Sequence, residues 1–282
     1  MTTRSVFASS TVQGQNVRMS KQTWLDCICE KLKVLFTDIF PSNFTCVIPN
    51  AVSWTYRTLW TGSIRSCETF ETVNKVADLF IHGDIVCKAD GRVPAILMLH
   101  GEHSHALTML HLGDVAESKG RAVFSVNLPY DDVNPESHLS LLRQSINRIE
   151  QMITKKGGRL SDLILAGHSR GAIESAYTAY VENNPKVRAV ISLAGRFKVI
   201  EPSHRFCRES LRPTVNAVWE KVRPSQILRV PFYQIAAAQD WCIDPEASIV
   251  RPDCPHQYVN ASHLGVINHP DTIQRFKEWV AT

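Results

Sequence analysis

The sequence has no apolar run of the roughly 18 residues that a membrane-spanning helix needs, so a helical integral membrane protein is excluded. Among its eight cysteines (Cys27, Cys29, Cys46, Cys67, Cys87, Cys207, Cys242 and Cys254) there is no C-x-x-C pair, which removes the signature of zinc ribbons and thioredoxin-like redox sites. The first thirty residues lack the apolar core of a secretory signal peptide, so the cysteines are read as mostly buried thiols in a reducing compartment. Thirteen glycines and fourteen prolines are too few for a collagen-like or low-complexity chain, and 21% charged residues is too little for a coiled coil. A net charge of +4, from 31 basic and 27 acidic residues, does not by itself indicate a nucleic-acid partner.

What remains is a chain of 282 residues with 44% apolar content, enough for one large α/β domain or two small ones. Its charge is uneven: residues 1–65 carry 7 basic and 3 acidic groups, and residues 196–229 carry 8 and 3. The expected organisation is an N-terminal extension over 1–65, with one amphipathic helix, followed by a catalytic-type domain over 66–282. In the extension, Trp24, Ile28, Leu32, Leu35 and Ile39 form a helical stripe, read as a packing face ahead of a membrane-surface helix. The expected compartment is the cytoplasm. An organelle is the alternative, because residues 1–25 hold Arg4, Arg18 and Lys21, many Ser and Thr, and no acid.

From residue 67 onward, strand-like and helix-like segments alternate. Residues 67–87 read as two strands around a turn. Ala95–Leu99 is a continuous apolar run of the kind that a strand buried on both faces needs, and Ala122–Val126, Leu163–Ala166, Val187–Leu193 and Phe232–Ala238 are further, mostly apolar runs. Leu139, Leu142, Ile146, Ile149 and Ile153 recur at helical intervals before Gly157-Gly158. A further helix follows Ser169, and a last one follows Pro270, burying Ile273, Phe276 and Val280. Such alternation predicts an α/β fold with a mostly parallel central sheet and helices on both faces.

The strongest chemical signal is Gly167-His168-Ser169-Arg170-Gly171, a G-x-S-x-G pentapeptide between an apolar run and a helix. A serine on a sharp strand-to-helix turn sits in a strained backbone, and its small neighbours let the chains pass. The helix N-terminus behind it supplies N–H groups where an oxyanion would form. In this context the chain resembles the α/β-hydrolase superfamily over roughly residues 67–282, and the Gly-His-Ser-Arg-Gly elbow is similar to those of chlorophyllases and some polyester-degrading or lipase-like hydrolases.

The resemblance implies a serine esterase or thioesterase with Ser169 as nucleophile, Asp240 as orienting acid and His263 as base. Asp240 directly follows an apolar strand, and His263 lies between the last strand-like stretch and the last helix. Asp244, Asp253 and Glu201 remain alternative acids, and His256 and His269 alternative bases. The oxyanion donors implied are the backbone N–H groups of Arg170 and of Glu102, which follows His100-Gly101. Glu102 departs from the Gly or apolar residue usual there, and its carboxylate must point away or pair with Arg170 or a nearby histidine. His100, His103 and His105 form H-x-x-H-x-H without an acidic partner motif, so no metal is expected, and no cofactor, since no Gly-rich phosphate loop follows the first strand.

Residues 196–229 fall where the family inserts a small cap. There Pro213–Val222 reads as a helix, and Phe197, Phe206 and Trp219 as an acyl-pocket lining. The partner expected is a small ester or thioester, anionic or lipid-like, with peripheral membrane contact open and nucleic acid not expected. A catalytically silent scaffold used for binding, and an acyltransferase with the same triad, are the alternative functions.

Overall fold

The computed structural model describes residues 78–82, 84–102, 104–128, 134–198 and 209–281. The expected N-terminal extension with its helical stripe, residues 67–77 of the segment read as two strands, and His103, Glu201 and Phe206 lie outside the described residues.

Among the described residues, seven strands form one sheet: β1 (Asp78–His82), β2 (Arg92–Leu99), β3 (Ala122–Asn127), β4 (Arg159–His168), β5 (Val187–Leu193), β6 (Phe232–Ala237) and β7 (His256–Val259), in the order β1-β3-β2-β4-β5-β6-β7. Every neighbouring pair is parallel except β1 with β3. The helices are α1 (Leu110–Glu117), α2 (Pro135–Lys155), α3 (Arg170–Ala176), α4 (Arg212–Val222), α5 (Pro245–Ser248) and α6 (Pro270–Trp279). Residues 84–88 carry no strand, so β1 pairs antiparallel with β3 and makes no hairpin with the segment after Gly83. No helix among the described residues is long and apolar enough to cross a membrane.

The continuous apolar runs are explained by what they face. In β2, Ala95, Leu97 and Leu99 point into one core, and Ile96 and Met98 into the other. With side chains alternating across the pleat, a strand covered on both faces has no polar position to offer. The first core is closed by α2, α3 and α4, the second by α1 and α6. In α2 all five periodic residues, from Leu139 to Ile153, are buried. Asn134 caps its N-terminus by accepting from the Glu136 N–H at 3.0 Å, and Gly157, at φ +78°, takes the chain out of the helix.

The described part of 196–229 contributes α4 to this helical layer. Its Val215, Val218 and Val222 are fully buried in the first core. Phe197, expected to line an acyl pocket, is instead a core residue: it is fully buried and meets Phe232 edge-on at 5.2 Å between ring centres. An aromatic at the end of a central strand region fills core volume before it can line a cleft. Trp219 packs partly buried on the same core, with Lys198 Nζ 5.9 Å from its ring centre.

Candidate active site

The turn from β4 to α3 carries Ser169 at φ 54°, ψ −117°, a positive φ that a non-glycine residue adopts only under constraint. The constraint is visible in its neighbours. A Cβ on Gly167 would lie 2.2 Å from the Gly171 carbonyl oxygen, and one on Gly171 would lie 2.5 Å from the Leu99 carbonyl oxygen. Both glycines are therefore required by backbone meeting backbone. The Ser169 N–H donates to the Leu193 carbonyl, at the end of β5, at 2.9 Å. The serine is thus pinned between two strand ends, at the head of α3.

The loop after β2 reaches the same place. A Cβ on Gly101 would stand 3.0 Å from Ser169 Cβ and 2.8 Å from His168 Nδ1, so only glycine lets this loop lie against the elbow. His100 braces it. Its Nδ1 donates to the Gly101 carbonyl at 2.7 Å, and its Nε2 accepts from the Leu128 N–H at 2.9 Å. That pair of bonds specifies the neutral imidazole, and burial lowers the His100 pKa to about 4. Glu102, the next residue but one, turns its carboxylate toward Arg170, with Oε1 3.9 Å from Nη1.

Arg170 itself is a buried cation. Its Nε donates to Glu174 Oε1 at 2.9 Å within the first turns of α3, and the same oxygen lies 3.0 Å from His138 Nδ1 on α2. The arginine, its two carboxylates and the histidine form one polar cluster beneath the loop, in which charge meets countercharge as burial demands.

Asp240 and His263 meet in the loops after β6 and β7. Asp240 follows β6, and its side chain is 1% exposed. Oδ1 accepts from the backbone N–H groups of Cys242 (2.8 Å) and Ile243 (3.0 Å), and Oδ2 accepts from His263 Nδ1 at 2.6 Å. Both oxygens are therefore committed, and the imidazole proton is held on Nδ1, which leaves the Nε2 lone pair available.

A fourth histidine underlies the arrangement. His168, immediately before the serine, is fully buried and donates through Nε2 to the His263 carbonyl at 2.8 Å, the two rings lying 4.7 Å apart. Burial, with the neighbouring His263, lowers its pKa to about 3. His168 thus touches both the Gly101 loop and the His263 loop.

The other sequence candidates stand elsewhere. Asp244 caps α5 by accepting from the Glu246 N–H at 2.9 Å. Asp253 pairs with Arg251. His256 is exposed and bonds the Cys254 carbonyl at 2.9 Å, and His269 caps α6 through Asp271 N–H at 3.3 Å. His168, Glu174 and His138 were not singled out from the sequence. Of the three, only Glu174 carries a signal in the sequence, its spacing of four residues from Arg170 inside a helix.

Solved structures resemble this chain over most of their own length. They include a sugar hydrolase (YeeB) from Lactococcus lactis, 17% identical over 74% of this chain and 95% of that one, with a TM-score of 0.56. A thermophilic esterase, Est2, from Thermogutta terrifontis, with propionate bound, is 15% identical over 73% and 88%, with a TM-score of 0.55. Est1E from Butyrivibrio proteoclasticus, with ferulic acid bound, is 16% identical over 73% and 93%, with a TM-score of 0.54. No protein-family model and no curated protein matches the sequence. The chain has the α/β-hydrolase fold.

Proposed function

We propose that the protein is a serine hydrolase that cleaves carboxylic esters or thioesters. The observation that carries this reading is the 2.6 Å bond between His263 Nδ1 and a fully committed Asp240, with the His263 carbonyl bonded to His168, the residue before a serine held at φ 54°. A fold hosts many functions, so the argument rests on the site.

In the proposed reaction Ser169 Oγ attacks the acyl carbon while His263 Nε2 takes its proton. Asp240 keeps the imidazole in the tautomer that can accept that proton and stabilises the imidazolium that results. The carbonyl oxygen becomes an oxyanion, held by the backbone N–H groups of Arg170 and Glu102. Each such donor is worth about 2.7–4 kcal/mol of transition-state stabilisation in a comparable hydrolase. The Glu102 carboxylate, drawn toward Arg170, is kept from adding negative charge to that spot. His263 then protonates the leaving alcohol or thiol. A water, deprotonated by the same imidazole, attacks the acyl-enzyme, and the acid leaves with Ser169 restored.

The resembling structures named as esterases, with propionate or ferulic acid bound, support an ester as the substrate class. The test is turnover of short-chain p-nitrophenyl esters and acyl thioesters by the full chain and by Ser169→Ala. The wild type is expected to hydrolyse at least one series and the variant to show none above background while unfolding at the same temperature. Equal turnover by both proteins would remove the reading.

A further inference from the structure

We propose that Asp240, Cys242 and His263 form an inhibitory site for a soft divalent cation such as Zn²⁺. The proposal rests on the hydrolase reading for its consequence and on geometry alone for the site. Cys242 Sγ, a carboxylate oxygen of Asp240 and a ring nitrogen of His263 all lie within 4.8 Å of one another. Two ligands on a tetrahedral Zn²⁺, with Zn–S of about 2.3 Å and Zn–N of about 2.0–2.1 Å, stand roughly 3.5 Å apart. The three groups are therefore within a small side-chain rotation of a ligand set.

The donor types decide the metal class. A thiolate, an imidazole and a carboxylate suit Zn²⁺ and its neighbours rather than Mg²⁺ or Ca²⁺, which take oxygen ligands. The backbone favours the same convergence. The Cys242 N–H is already bonded to Asp240 Oδ1, which keeps the thiol-bearing residue on the carboxylate. Cys242 is half-buried, so the thiol is sheltered yet within reach of an ion from solvent.

The chemistry of inhibition follows from proton placement. The metal takes the lone pair of His263 Nδ1, the nitrogen that faces Asp240. The proton carried there moves to Nε2, and the Cys242 thiol releases its proton to solvent as it becomes a thiolate ligand. A neutral imidazole has one lone pair, and it is now on the metal. Nε2 bears a proton and can no longer accept one from Ser169. A water completes the fourth position of the ion.

Two measurements on the full chain test the site. In the first, Co²⁺ is titrated and the near-ultraviolet thiolate-to-cobalt charge-transfer band is followed. The band is expected with the wild type and absent with Cys242→Ser and Cys242→Ala. In the second, Zn²⁺ is titrated against ester turnover. Inhibition is expected, reversed by EDTA, and Cys242→Ser, measured against its own zinc-free turnover, is expected to need at least about tenfold more Zn²⁺ for half inhibition. No band in the wild type, a band of equal strength in both variants, or equal Zn²⁺ sensitivity in Cys242→Ser overturns the proposal. A wild type that binds Co²⁺ through Cys242 but turns over no ester supports the metal site and removes the hydrolase reading instead.

Discussion

His263 depends on two side chains for its position, and the two differ in what they control. Asp240 fixes the tautomer, so Asp240→Asn is expected to lower kcat by about three to four orders of magnitude with folding intact. Asp244→Asn is expected to leave kcat alone, because Asp244 only caps α5. Steady-state kinetics on the two variants decides between them, and a reversed order would reassign the acid. His168 controls the loop through one hydrogen bond to the His263 carbonyl. Its replacement by Phe removes a bond worth about 0.5–1.5 kcal/mol, so kcat is expected to fall up to about tenfold with KM little changed. Gln retains an N–H donor and is expected to recover part of the loss. Full activity in the Phe variant would reduce His168 to packing.

The buried Arg170 makes a different prediction. With a side chain 4% exposed against a Glu174 side chain 1% exposed, removing one partner strands the other charge. Arg170→Met is expected to cost about 3–5 kcal/mol of stability in urea unfolding. Arg170→Met combined with Glu174→Leu is expected to cost clearly less than Arg170→Met alone, since neither charge is then left buried alone.

Among elements, the elbow is the least forgiving. Gly167→Ala would place a methyl group 2.2 Å from a backbone oxygen that cannot rotate away. The expected outcome is loss of turnover together with destabilisation at or above the upper end of the usual range of about 1–3 kcal/mol for overpacking. An active, stable Gly167→Ala would contradict the geometry of the turn. The elbow is also the element most legible in sequence, because its glycines answer a local steric need. The periodic apolar face of α2 and the unbroken run Ala95–Leu99 of β2 are legible for the related reason that burial dictates them residue by residue. What sequence reading missed is set by long-range contact. The segment 84–88 has strand-like composition, but β1 takes the edge position on β3 and leaves that segment no partner. Phe197 reads as a pocket lining until tertiary packing draws it into the core with the valines of α4. His168 reads as an arbitrary x beside the nucleophile, since its partner is a carbonyl 95 residues away.

At the scale of the whole molecule, the buried His100 and His168 and the half-buried His105 make folding sensitive to acid. His100, His105 and His168 have pKa values lowered from 6.5 to about 4, 4 and 3, in each case first by burial. Above pH 6.5 these residues are neutral whether folded or unfolded, and they leave stability unchanged. Below it the unfolded chain takes up protons that the folded chain does not, so stability falls as the pH drops from 6.5 toward 4. Together they amount to a loss on the order of a few kcal/mol by pH 5. Urea midpoints measured between pH 8 and pH 5 are expected to fall below pH 6.5, with a shallower fall in His168→Gln. A midpoint that is flat across this range would contradict the neutral, buried state of these rings.

On the proposed reading, the same assembly of strand ends, loop and helix N-terminus makes Ser169 reactive, and that reactivity is open to direct measurement. A fluorophosphonate reacts appreciably only with a serine whose base and oxyanion donors are aligned. Labelling of the native protein, followed by mass mapping of the adduct, is expected to place the phosphonyl group on Ser169 and to fail in Asp240→Asn within the same time. A folded wild type that takes no label, or takes it on another residue, would contradict the account.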